Sequence, residues 1–559
     1  MNTNLAVTLR TLVAGTLLCS LSSPAQAWTP NPKDLDAAIN SGDLAGYLRN
    51  ATTWLNPSGM LAEGPLLARL KDPAFVSTLD QRQLIAKTGA DKLGGLAKAG
   101  ASNAAFLRWL MTTPKALELY LEGVVPIGLA AREDNSYGLT TAPLEIWKNI
   151  LASDPDAKDG LDLKLAIATA IAPPGSGSPG AGQAKIQADP VSRYLHFKTA
   201  HQNHELFPSF DNLTVWELTK VVSSGASNDD LAWGRQMINA WRPDLRNNEL
   251  VVNSTSEVWR RNSPIDFANS YKNVLAGGGK CGPRSSWSVF ICQAFGIPAI
   301  GVGQPAHACV AYKTANPMTE PQPGSAWKVG YGRGWQVSKL EGMGGLDFMA
   351  AVQDREHAAE FSQVEHLRWL AAALAAPAQA AAVMDIAHKI QKSLTSIKTD
   401  TAASLKPEEA EKEVTAAAKT ASPTAAHAPI TLATATTHID AAAFVAMSGV
   451  NVFDCVSGGK QINFGKSVAD SWVDYALDVP AAGTYHLVMK VAAGNVEQVL
   501  NVKVGSNDPV TVKVPWTTGL WDMTPAAELK LEHGPQILRL SAPFQRAVSV
   551  LFLELKAGS

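Results

Sequence analysis

Excess charge of either sign is nearly absent from this 559-residue chain. Its 48 Lys and Arg stand against 50 Asp and Glu, a formal net charge of −2. That leaves no electrostatic case for a nucleic-acid partner or for an anionic membrane surface. Cysteine is scarce too. The five cysteines, Cys19, Cys281, Cys292, Cys309 and Cys455, are too few for a disulfide framework in so long a chain. After the first 27 positions there is no apolar run of roughly 18 residues, so no transmembrane segment is expected in the mature chain. Metal ligands do not cluster. His201 and His204 are three apart, but no further Cys, His or carboxylate completes a tetrahedral set, so they read as surface histidines and no metal or cofactor is expected. Gly277 to Gly279 lack the Lys-Ser/Thr ending of a phosphate loop. No motif nominates the two carboxylates, about 5 to 9.5 Å apart, that a glycosidase requires.

What is present begins with an address. Arg10, the apolar run Leu12 to Leu21, and Ala25-Gln26-Ala27 before Trp28 read as a Sec signal peptide over 1–27, cleaved after Ala27. Cys19 follows Leu18 rather than a small residue, which argues against a lipoprotein anchor. The expected fate is periplasmic or secreted.

The organisation that follows is multidomain. From Asp34 to about Ala170 the apolar residues repeat at helical spacing: Leu44, Tyr47, Leu48, Ala51 and Leu55, then Phe106, Leu107 and Leu110, then Leu117, Tyr120 and Leu121. Thr112-Thr113-Pro114 separates the last two groups, with Pro placed to start a helix. This predicts an all-α N-terminal domain over 28–185, ending in the Gly/Pro/Ser-rich stretch Pro173 to Gly182. Residues 186–375 change to an α+β order. Helices around Trp216 to Val222 and Asp229 to Trp241 are followed by strand-like runs at Ala299 to Val302, His307 to Tyr312 and Ala326 to Tyr331, and helical periodicity resumes at Glu356 to Leu374. Residues 376–437 read as a helix extension and then an Ala/Pro/Lys/Glu linker. Short alternating or apolar runs over 438–559, such as Val473 to Leu477, Tyr485 to Val491 and Val548 to Leu555, predict an all-β sandwich.

The chemistry concentrates at Gly277-Gly-Gly-Lys-Cys-Gly-Pro283. A thiol between a glycine-rich loop and a helix sits where the helix N-terminal field favours the thiolate, and His307 on a following strand is placed to take its proton. Cys292 is eleven residues on, close to three turns, hence on the same helix face about 16 Å away. Cys292 and Cys309 read as small core residues or, alternatively, as a bridged pair. Arg284, one turn into the helix, is a candidate to hold a substrate carboxylate or the thiolate, or else a solvated helix charge.

Gly279-Lys280-Cys281-Gly282, Phe295-Gly-Ile-Pro-Ala299 and Gly303-Gln-Pro-Ala-His-Ala308 together resemble the core of the transglutaminase-like superfamily over roughly residues 265 to 350. The resemblance implies a papain-like α+β fold and a Cys-His-Asp triad for acyl transfer or amide hydrolysis. Cys281 is then the nucleophile and His307 the general base and acid. The chain departs from the pattern at the third member. The family places Asp about four residues past a strand tryptophan, and here Ala326-Trp-Lys-Val-Gly-Tyr331 offers no carboxylate. Asp347 from a later loop, or Gln336 or Ser338 by a neutral hydrogen bond, are the candidates to orient the imidazole. Gln304 is a candidate oxyanion or positioning donor.

Asp470-Ser-Trp-Val-Asp-Tyr475, Val479-Pro-Ala-Ala-Gly-Thr-Tyr485 and Thr518-Gly-Leu-Trp-Asp522 resemble the β-sandwich (jelly-roll) carbohydrate-binding modules of families 6 and 35, over about 438 to 556. Such modules clamp a sugar between two aromatic rings in an apical cleft, because sugar C–H faces meet aromatic π-systems. By position Phe464 and Trp521 are the implied pair, Trp516 a spare, and Gln545 stands in for the usual asparagine of the last loop. Trp472 and Tyr475 read as core. The acids of the family's calcium site are reduced to Asp440, so no calcium is expected. The implied protein is an exported transglutaminase-like enzyme. It would be held at a polysaccharide or glycoprotein surface by a weak module on a flexible linker, with a protein or peptide substrate. The alternative is a non-enzymatic sugar-binding surface protein on an inactive scaffold.

Overall fold

The computed structural model describes residues 28–56, 62–176, 188–247, 250–261, 270–314, 326–395, 404, 406–410, 427–465, 471–543 and 546–558. Residues 1–27, where a signal peptide is expected, residues 177–182 of the Gly/Pro/Ser-rich stretch, much of the expected linker, Asp470 and Gln545 lie outside the described residues.

Among the described residues, ten α-helices lie between Pro32 and Ile171. The helix Leu44–Leu55 buries Leu44, Tyr47, Ala51 and Leu55, the one-sided stripe of a helix packed on a core. Pro114 starts the helix Pro114–Val124, where its missing N–H costs nothing. Trp147 is fully buried and stacks on Tyr120 at 5.8 Å between ring centroids. Two later helices, Ala358–Ala371 and Pro377–Leu394, return to this helical layer. Arg132 reaches Glu365 at 2.8 Å and Asp354 at 3.4 Å, and His366 meets Asp80 at 2.9 Å, all of them buried. Burial alone would raise the Glu365 pKa, but Arg132 and Arg368 hold it below the usual carboxylate value. A charge this deep persists only when paired.

The middle of the chain has helices on a small sheet. Thr214 and Glu217 form a reciprocal capping box that starts the helix Val215–Val222. The helices Asn228–Trp241, Tyr271–Gly277 and Cys281–Ala294 follow. Five antiparallel strands, β1 (Ala299–Gln304), β2 (His307–Lys313), β3 (Trp327–Gly330), β4 (Lys339–Leu340) and β5 (Met343–Gly344), pair in the order β3-β2-β1-β4-β5. The helix Cys281–Ala294 lies across β1 and β2, tied down where the Ser285 hydroxyl donates to the Cys309 carbonyl at 2.5 Å. One buried apolar cluster runs from Leu35 to Ala387. A smaller one, with Trp216, Trp327, Trp335 and Phe348, includes residues of the strands and of the helix Gly345–Glu356.

The C-terminal region is all β. Its described strands form a seven-stranded and a six-stranded sheet around a core of their own. Ser471–Val479 and Gly534–Ala542 pair antiparallel over their whole length. This sandwich does not merely hang on the linker that the sequence suggested. Ala492 and Ala547 join the large apolar cluster of the preceding regions, with Leu520 and Trp521 packed against it. The Trp233 and Trp241 indole N–H groups donate to the carbonyls of Thr518 (3.0 Å) and Ala547 (2.7 Å). Buried indoles need acceptors, and the sandwich loops supply them. Among the described residues no helix is long and apolar enough to cross a membrane.

Candidate functional site

Cys281 is the first residue of the helix Cys281–Ala294 and is partly exposed. The loop before it is shaped by close backbone approach. Gly278 has φ +83°, and a Cβ there would lie 2.2 Å from the Trp259 carbonyl oxygen, so only glycine fits. The Gly279 N–H donates to that same carbonyl at 2.8 Å. His307 opens β2 after a two-residue turn in which Ala306 sits at φ +56°. Both side chains line one small pocket, with Thr255, Arg284, Ser285, Ser288, Ala308, Cys309 and Tyr331.

The imidazole is held by a group the sequence could not name. His307 Nε2 lies 2.7 Å from the Tyr331 carbonyl oxygen. A carbonyl only accepts, so Nε2 carries the proton, and in the neutral ring Nδ1 keeps a lone pair. Tyr331 stands four residues past Trp327, the position at which the resemblance puts Asp. Its φ of +56° is a left-handed conformation that a bulky residue rarely adopts. The spacing from Trp327 was visible in the sequence. That the main-chain carbonyl of Tyr331 is what meets the imidazole was not.

The other candidates are placed elsewhere. Asp347 is exposed in the first turn of the helix Gly345–Glu356, and Gln336 is exposed. Ser338 is buried, donating to the Gly334 carbonyl at 2.6 Å. Gln304 is buried as well. Its amide donates to Gly334 (3.1 Å) and Ser338 Oγ (2.9 Å), and its carbonyl accepts from the Arg333 N–H (3.0 Å). Gln304 and Ser338 thus brace the 333–338 loop, and none of these four lines the pocket. Arg284 does line it and is buried, not a solvated helix charge; its guanidinium donates to the Thr255 carbonyl at 3.4 Å. Cys292 and Cys309 are buried and are not bridged to each other. Thr255, Ser285 and Ser288, which no motif singled out, give the pocket a floor of small hydroxyls, Thr255 and Ser288 being 2.8 Å apart.

The aromatic pair assigned to the sandwich does not form a cleft. Phe464 is fully buried in the sandwich core. Trp521 packs against the large cluster, at the junction with the middle region. Trp516 alone is well exposed, at 42 %, its indole N–H donating to the Gly494 carbonyl at 3.3 Å. Tyr475 is core, its hydroxyl bonded to the Ala441 carbonyl at 2.7 Å. Trp472 carries the Arg539 guanidinium on its face at 3.9 Å. Among the described residues no three His, Cys, Asp or Glu side chains gather as metal ligands.

No protein-family model matches the chain. No curated protein matches it either. Solved structures do. The C-terminal family 6 carbohydrate-binding module of LamC, a marine laminarinase from Zobellia galactanivorans, is 18% identical, with 22% of this chain and 98% of the module covered at a TM-score of 0.20. A Cellvibrio mixtus lichenase 5A module solved with cellotriose is 19% identical, over 22% of this chain and 98% of the module, also at 0.20. A family 35 module from Clostridium thermocellum is 13% identical, with 22% and 98% covered, again at 0.20.

Proposed function

We propose that this chain is an exported cysteine acyl-transfer enzyme of the transglutaminase-like kind, cleaving an amide or peptide bond. What carries the reading is one pocket holding a thiol at a helix N-terminus together with an imidazole whose Nε2–H is committed to the Tyr331 carbonyl. In this mechanism His307 takes the Cys281 proton on Nδ1 as sulfur attacks the carbonyl carbon. The first N–H groups of the helix, on Cys281 and Gly282, have no intrahelical acceptor and are the donors this mechanism assigns to the developing oxyanion. The C–N bond breaks as the imidazolium returns the proton to the leaving amine, and water then cleaves the thioester. Hydrolysis is preferred to cross-linking because water is always at hand and no residue of the chain marks an amine site. The sandwich is read as the part that meets a polysaccharide or glycoprotein surface, with Trp516 the aromatic ring left open to a sugar.

The test is the pH dependence of Cys281 alkylation by iodoacetamide, followed by peptide mapping in a Cys292→Ser/Cys309→Ser background. Labelling that persists well below the ordinary thiol pKa of about 8.5, and that slows at least about tenfold in His307→Ala, supports the enzyme. An ordinary thiol profile sinks it. One observation favours a second reading, a non-enzymatic carbohydrate-binding protein on an inactive scaffold. A carbonyl stabilises an imidazolium less than a carboxylate does, and a carbonyl is what His307 meets through Nε2.

A further inference from the structure

The helix that leads into the loop presenting Cys281 takes hydrogen bonds from the C-terminal sandwich at its end. Asn495 is almost fully buried. Its side-chain NH₂ donates to the Leu275 carbonyl at 2.7 Å and to the Glu257 carbonyl at 3.2 Å. The next residue, Val496, donates its backbone N–H to the Ala276 carbonyl at 3.3 Å. Leu275 and Ala276 end the helix Tyr271–Gly277, where carbonyls run out of intrahelical donors. The sandwich supplies those donors. Immediately beyond that helix end come Gly278, Gly279, Lys280 and Cys281.

The second backbone at this junction is held in the same way. Glu257, the other Asn495 partner, leads through Val258 to Trp259, whose carbonyl binds the Gly279 N–H. The Arg261 N–H in turn donates to the Gly279 carbonyl at 3.2 Å. Arg546, on the last sandwich loop, donates to the Ser256 carbonyl at 3.0 Å and lies 5.1 Å from the Trp259 ring centroid. Burial, helped by the neighbouring Arg284 guanidinium and opposed by Glu257, lowers the Arg546 pKa from its ordinary value. Gly494 brings the sandwich backbone close, since a Cβ there would meet Leu275 at 2.9 Å and Trp241 at 3.0 Å.

We infer that Asn495 and Arg546 are positioning residues for Cys281: the sandwich clamps both backbones that converge on the Gly278–Gly279 turn and so sets where the thiol sits against the helix N-terminus and His307. The sandwich then belongs to the thiol site, over and above any glycan it meets. This rests on Cys281 being the reactive group of the proposed enzyme. Both Asn495 partners are carbonyls, so only an NH₂ satisfies them, and Asp at 495 would set a carboxylate against two acceptors.

The experiment uses the full chain and follows Cys281 alkylation against pH by peptide mapping, with Cys455 as internal reference, in wild type, Asn495→Ala, Asn495→Asp and Arg546→Gln. Hydrogen exchange at the Gly278 and Gly279 amides is measured in parallel. The expected result is a Cys281 midpoint moved up toward the ordinary thiol value in Asn495→Ala and further in Asn495→Asp. Arg546→Gln should show a smaller shift, Cys455 should not move, and the two glycine amides should exchange at least about tenfold faster. Wild-type midpoints and wild-type glycine exchange in folded Asn495→Ala and Arg546→Gln overturn the clamp. If Asn495→Asp does not fold, Asn495→Ala and Arg546→Gln carry the test. An ordinary thiol profile in the wild type itself removes the enzyme reading, and the glycine exchange still decides whether the clamp exists.

Discussion

The two regions to which motifs assigned function use their key residues in opposite ways. At the Cys281 end, residues far apart in sequence converge on one small polar pocket, and the thiol stays partly open to solvent. At the sandwich end, the implied ligand-binding aromatics are taken up by packing: Phe464 in the sandwich core, Trp521 at the junction with the middle region. The difference is physical. A nucleophile motif specifies backbone, a glycine turn leading into a helix start, and backbone geometry leaves few alternatives. An aromatic pair specifies only ring type and order, and a buried core competes for the same rings.

The contrast is broken most directly at Phe464. Phe464→Ala should cost about 3–5 kcal/mol of stability, the usual price of an emptied aromatic core site, measured by urea denaturation. Loss of binding to an immobilised polysaccharide at unchanged stability would instead restore Phe464 to a binding site. A smaller effect is expected at the junction. Trp241→Phe keeps most of the ring but removes the donor to Ala547, leaving a buried carbonyl short of its partner, at a cost of about 1–3 kcal/mol. The melt should then separate the sandwich from the rest, and a single unchanged transition would show that the interface is held otherwise. The smallest effect is reserved for Tyr331→Phe. It deletes the long hydroxyl bond to the Val252 carbonyl, 3.4 Å, and keeps the main-chain carbonyl on His307. Stability should fall by less than about 1 kcal/mol, with the Cys281 labelling profile unmoved. A shifted profile would mean that the phenol, not the backbone, orients the imidazole.

Much of the local architecture was legible. The apolar spacing at Leu44 to Leu55 names the face that is buried, and the runs at His307 and Val548 lie on the observed strands. Periodicity reads such elements because burial imposes it residue by residue. The strand Asn451–Asp454 is short and half polar, and no run of the sequence marks it. At the candidate site, Cys281, His307 and Arg284 were legible from spacing. Gln304, Ser338, Gln336 and Asp347 were not, because a polar side chain near a motif gives no sign whether it faces the pocket or braces the loop beside it.

What the sequence determined by itself is the order of elements and the glycine-rich approach to a helix that begins with Cys281. These are local matters of periodicity, turn chemistry and backbone freedom. Tertiary structure alone decided that a carbonyl at Tyr331 holds His307, that Phe464 is core, and that Asn495 of the sandwich meets the end of the helix before Cys281. Each of these depends on main-chain groups, or on surfaces hundreds of residues apart. Every residue carries the same amide and carbonyl, so residue identity cannot announce which of them will meet.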